Sequence, residues 1–116
     1  MATVIESQQQ PAVETRLSLV EYVELEQSTG ERHEFHDGRV VPMVGGSEPH
    51  FVIAGNVFAE LRTLLKGTNN RVYPAEMRVH VPAANRYIYP DACACAAEPQ
   101  FGPPKDTLLN PTLAVE

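Results

Sequence analysis

The sequence predicts an α/β fold, in the order helix, hairpin, long helix and then a series of short strands. Three observations predict it. Ser18-Leu19-Val20-Glu21 fits a capping box, which marks a helix start. Asp37-Gly38 lies between two short extended runs, the strongest local hairpin signal. Ala54, Val57, Phe58, Leu61, Leu64 and Leu65 recur at helical spacing and mark one apolar face. At 116 residues the chain is at most one domain.

Each element has its own local cause. Residues 1–16 hold Ser7-Gln8-Gln9-Gln10-Pro11 and no periodicity, so they are expected to be a flexible, disordered arm. The first helix starts after Ser18, places Leu19, Tyr22, Val23 and Leu25 or Glu26 at helical spacing, and fades at residues 27–30. Around the Asp37-Gly38 turn, Phe35 is expected to face Val40 and Glu34 to face Val41. Ser47-Glu48-Pro49 opens the long helix with a capping hydroxyl, an early acid and an early proline, and Lys66-Gly67 stops it. Residues 71–73 read as a short strand. Residues 77–82 alternate, with Met77, Val79 and Val81 inward. Residues 87–97 read as one strand whose second half is apolar on both faces, hence central. Residues 98–110 read as a proline-rich loop, and 112–116 as the last strand.

Bulk composition narrows the function classes. Fifteen acidic against nine basic residues give a net charge of −6, which argues against nucleic-acid binding by bulk charge. It leaves room for a nuclease, because a metal site is itself acidic. The two cysteines, Cys93 and Cys95, stand two apart, where a mutual disulfide is strained, so a reducing cytoplasm is expected. Residues 1–6 lack the basic and apolar parts of a signal peptide, and no apolar stretch reaches membrane-spanning length, so no membrane partner is expected.

Asp91 and Glu116 are the first candidates for chemistry. If strands 87–97 and 112–116 are neighbours, their axes lie ~4.8 Å apart, and two carboxylates at matching heights can share a hard, oxygen-ligated cation. Pro90 cannot donate to a ladder, so Asp91 is expected at a strand start or bulge. Pattern alone favours the plainer reading, in which Asp91 caps a turn and Glu116 is an exposed terminus. His33, His36, His50 and His80 are scattered and show no zinc spacing with Cys93 and Cys95. A small His/Cys metal-binding protein stays open as an alternative. Gly45-Gly46-Ser47 before a helix lacks the lysine of a phosphate-binding loop.

The succession of motifs changes these weights. Residues 19–23, then 32–41, then His50 opening a helix with Asn56, resemble the Uma-type restriction endonuclease family of the PD-(D/E)XK nuclease superfamily. So do residues 77–82, then Tyr89-Pro90-Asp91, then residues 107–116. The resemblance runs in order through residues 17–116. It implies a restriction-endonuclease-like fold, a mixed sheet flanked by helices. It implies Asp91 and Glu116 as catalytic, metal-holding acids, with Glu34 and His50 lining the cleft. It further implies Mg²⁺ or Mn²⁺ as cofactor, DNA as partner and a homodimer as an assembly to test. In that family the chain continues past the second acid through a helix and a lysine, and neither Lys66 nor Lys105 matches that lysine. Residues 17–116 are thus expected to be an incomplete domain, short of roughly 60–80 residues. The 116-residue chain is expected to be inactive where a longer version cleaves. A non-catalytic remnant or binding module of the same fold is the competing expectation.

Overall fold

The computed structural model describes residues 16–43 and 45–116. The expected arm at 1–15 lies outside the described residues. Arg16, assigned to that arm by sequence, forms an isolated antiparallel bridge with Arg39, and its Nη1 donates to the Asp37 carbonyl at 3.2 Å.

Helix α1 spans Leu19–Thr29. Ser18 Oγ accepts from the Glu21 amide at 3.1 Å, and Glu21 Oε1 accepts from the Ser18 amide at 2.8 Å. The helix ends at Gly30, whose φ of +73° is a left-handed cap that side-chain-bearing residues rarely adopt. The hairpin follows as β1 (His33–His36) and β2 (Arg39–Pro42), with Phe35 opposite Val40 and Glu34 opposite Val41. Helix α2 spans Glu48–Leu64, capped by Ser47 Oγ on the His50 amide at 3.3 Å. Then come β3 (Arg71–Tyr73), β4 (Val79–Val81), a 3₁₀ turn at Pro82–Ala84, and β5 (Arg86–Ile88). The chain ends with β6 (Ala92–Cys95), β7 (Phe101–Gly102), β8 (Thr107–Leu108) and β9 (Leu113–Val115).

These strands make two sheets. One has six strands in the order β2-β1-β5-β4-β8-β7; it is mixed, since β4 meets β8 in parallel at Val79 and Leu108. The other has three antiparallel strands in the order β9-β6-β3. A mixed sheet with two helices, α1 on the six-stranded sheet and α2 on the three-stranded one, is a restriction-endonuclease-like α/β arrangement.

Two expectations need correction. Residues 87–97 are not one strand: β5 lies in the six-stranded sheet and β6 in the three-stranded one. Pro90 has no amide to donate, and its neighbours spend theirs elsewhere. The Tyr89 amide donates to Glu34 Oε2 at 3.0 Å and the Asp91 amide to the Val115 carbonyl at 2.8 Å. Residues 98–110 are not only loop. They carry β7 and β8, and Thr107 and Leu108 are fully buried. Two-residue strands are too short to show a period. The apolar face of α2 lies where its spacing puts it: Ala54, Val57, Phe58, Leu61 and Leu65 are partly covered, with α2 packing on β6 and β3, while Leu64 is exposed.

The core has two parts. Tyr22, Phe35 and Tyr87 fasten α1 to one face of the larger sheet, with ring centroids 4.8–6.1 Å apart. Val79 and Leu108 meet Cys93 and Cys95 between the two sheets. Alternation sends Ala92 and Ala94 to the opposite side of β6, where small side chains let α2 approach.

His80 stacks on Tyr87 with centroids 4.2 Å apart and rings 7° from parallel. Burial pushes its imidazole below the ordinary value of 6.5. A depressed folded-state pKa means that the unfolded chain binds the proton first. The stabilising contribution is therefore present above about pH 6.5 and is lost as pH falls through the lower folded value. The melting temperature is expected to fall on acidification from pH 7, and His80→Gln is expected to flatten that slope. An equal slope in both proteins contradicts the assignment.

Candidate active site

Asp91 sits where the chain crosses from one sheet to the other, and the amides on either side of Pro90 are both hydrogen-bonded. Pro90 is buried and sets a rigid φ. On one side, Glu34 of β1 accepts the Tyr89 amide through Oε2, while its Oε1 meets His36 Nε2 at 2.9 Å. On the other, the Asp91 amide bonds Val115, so Glu116 follows one step beyond the Val115–Ala92 pair, beside Asp91. Above, His50 of α2 brings Nε2 to 3.2 Å from Asp91 Oδ1, with the imidazole half exposed and the carboxylate 29% exposed. The predicted residues Asp91, Glu116, Glu34 and His50 are thus brought to one locality, with Glu34 spending its carboxylate on the turn.

Partial burial pushes the Glu116 carboxyl above its ordinary value, and the Glu34 and Asp91 charges push it further. Arg86 and His36 pull it back down. Like charges held together on a rigid crossing are relieved by a cation. Among the described residues, no three His, Cys, Asp or Glu side chains gather closely enough to hold an ion by themselves. Cys93 and Cys95 are buried in the core, and burial pushes the Cys93 thiol up to about 11, so the thiolate a soft metal needs is disfavoured. Lys66 lies just past the C-terminal end of α2, whose last residue is about 21 Å along the helix from His50 by helical rise.

Asp91 also lines a cleft of about 910 Å³. Met43, His50, Phe51, Phe58 and Tyr89 form other parts of its wall. The cleft is open and partly apolar, as binding sites commonly are.

Sequence reasoning missed what holds Tyr89. Its hydroxyl donates to Glu26 Oε1 at 2.9 Å and accepts from Arg78 Nε at 2.9 Å. Glu26 has no exposed side-chain surface; it also meets His33 Nδ1 at 2.7 Å, the His33 amide at 3.2 Å and Arg78 Nη2 at 3.4 Å. Arg78 reaches on to Thr107 Oγ1 at 2.9 Å. Burial pushes the Tyr89 hydroxyl up to about 12, so it remains a donor. The available signal was an acid four residues after Tyr22 on the apolar face of α1.

Among curated proteins, the chain is 28% identical to the uncharacterized protein sll1609 of Synechocystis sp. (strain ATCC 27184 / PCC 6803 / Kazusa) over 101 residues, covering 86% of this chain and 57% of that relative. It is 27% identical to the uncharacterized protein slr1290 of the same organism, also over 101 residues, covering 87% of this chain and 53% of the relative. The chain therefore spans about half the length of these relatives. No solved structure matches it. A family model described as "Uma2: Putative restriction endonuclease" matches residues 19–116, from the first residue of α1 through Glu116. A match of that extent means that the chain belongs to the Uma2 family.

Proposed function

We propose that this chain carries the acidic half-site of a divalent-metal-dependent DNA endonuclease, in which Asp91 and Glu116 hold Mg²⁺ or Mn²⁺. The observation that carries the reading is the convergence of Asp91 and Glu116 on the rigid sheet crossing, where their charges oppose one another. When bound, such an ion acidifies a water and offsets charge on the phosphate. The chain's own residues supply the geometry. His50 engages one oxygen of Asp91 and so orients the carboxylate. Glu34 holds the crossing through the Tyr89 amide and keeps its negative charge near Glu116. The net reaction forms a bond from a water oxygen to phosphorus and breaks one phosphorus–sugar oxygen bond. The leaving sugar oxygen gains a proton. The family description and the acid pair both support this reading over a non-catalytic module.

The test has two arms. Mn²⁺ binding, read by calorimetry, is expected to saturate at one site and to vanish in Glu116→Ala. Nicking of supercoiled plasmid is expected to require Mg²⁺ or Mn²⁺ and is read on gels. Equal Mn²⁺ binding by the unchanged chain and Glu116→Ala contradicts the assignment, and this arm decides even where nicking lies below detection.

A further inference from the structure

The strand register places two arginines and a histidine on the face of the larger sheet that carries Glu34. Arg39 of β2 opposes His36 of β1, His36 opposes Arg86 of β5, and Arg86 opposes Val81 of β4. Residues opposed in this way share a face. Phe35 and Tyr87, one residue away from His36 and Arg86, point to α1 on the other side. The Arg39–His36–Arg86 row is therefore on the face that α1 does not cover. Two residues along β1 the same face carries Glu34, bonded to both His36 and the Tyr89 amide of the crossing. Arg86 is exposed.

A chain of net charge −6 repels a polyanion, so a backbone approaching Asp91 and Glu116 needs a local positive guide. A guanidinium suits this, because its planar fork donates two parallel hydrogen bonds to phosphate oxygens. We propose that Arg86, with His36 beside it, is a binding site for a backbone phosphate of nucleic acid that passes the Asp91–Glu116 acids. The assignment of the occupant as nucleic acid rests on the nuclease reading. The phosphate chemistry rests on the row itself.

The experiment compares the unchanged chain with Arg86→Gln and Arg86→Lys, each checked for an unaltered melting profile. Duplex DNA binding is measured without divalent ions across a salt series. Arg86→Gln is expected to weaken binding about tenfold at low salt and to reduce the salt slope by about one unit, while Arg86→Lys retains the slope. Inorganic phosphate, followed by the His36 ring resonances, is expected to shift them in the unchanged chain and not in Arg86→Gln. Unchanged duplex binding together with an unchanged phosphate response overturns the site. Arg86-dependent binding that is tighter for a phosphopeptide than for the duplex overturns the nucleic-acid assignment. If Mn²⁺ binding proves independent of Asp91 and Glu116 while the Arg86-dependent phosphate response persists, the nuclease reading fails and the phosphate site stands. If Mn²⁺ binding depends on the acids and Arg86→Gln changes nothing, the phosphate site fails and the nuclease reading stands.

Discussion

Replacing Asp91 with alanine is expected to lower Mn²⁺ affinity at least about tenfold and to abolish whatever metal-dependent plasmid nicking the unchanged chain shows. The effect is large because Asp91 has no substitute at its position. Pro90 and the bonds to Glu34 and Val115 fix the crossing, so no neighbouring carboxylate can swing into the vacated place without breaking one of them. Folding is expected to be nearly untouched. The Asp91 side chain faces a half-exposed His50, and exposed ion pairs of this kind contribute about 0–1 kcal/mol. The backbone bond from the Asp91 amide to Val115 survives the substitution. Calorimetry and gel assays read the first effect, and circular dichroism melting reads the second. Loss of activity accompanied by unfolding would assign Asp91 a structural role.

Replacing Glu26 with alanine is expected to cost about 3–5 kcal/mol of stability. Its carboxylate has no solvent exposure and gathers His33, Tyr89 and Arg78. Truncation leaves the largely buried Arg78 guanidinium without its acid, and leaves the His33 amide and Tyr89 hydroxyl to find other acceptors. Against a total of about 5–15 kcal/mol for a domain, this is a large fraction. For a domain of this size, each 1 kcal/mol shifts the melting temperature by roughly 4–8 °C. A shift of more than about 12 °C is therefore expected, with Glu26→Gln intermediate because it keeps an acceptor. A shift below about 4 °C, or less than ~1 kcal/mol by that scaling, means that the network holds nothing essential. Because Tyr89 belongs to the same network, Glu26→Ala is also expected to loosen the crossing that presents Asp91.

The elements legible in the sequence were those with local causes. Ser18 and Glu21 close a capping box within four residues, and Asp37-Gly38 sets the hairpin register without help from the rest of the chain. The long helix was readable from its cap and its period, but its burial was not. Helical spacing identifies an apolar face and says nothing about whether a partner covers it, which is why Leu64 lies exposed. The strands β7 and β8 escaped because two residues cannot display alternation, and because their pairing depends on Arg78 and Val79, nearly thirty residues upstream.

The sequence by itself determined the two helices, the hairpin, the acid after proline and the apolar run leading to Glu116, since each is written in neighbouring residues. The tertiary structure alone decided where the chain changes sheets, because that depends on where the Tyr89 and Asp91 amides find acceptors, on Glu34 and Val115. It alone decided that Glu26 is buried with Arg78, and that His36 and Arg86 pair across strands on the face that carries Glu34. Those contacts join residues about 50 apart in the chain, and long-range pairing leaves no periodic trace in a single sequence.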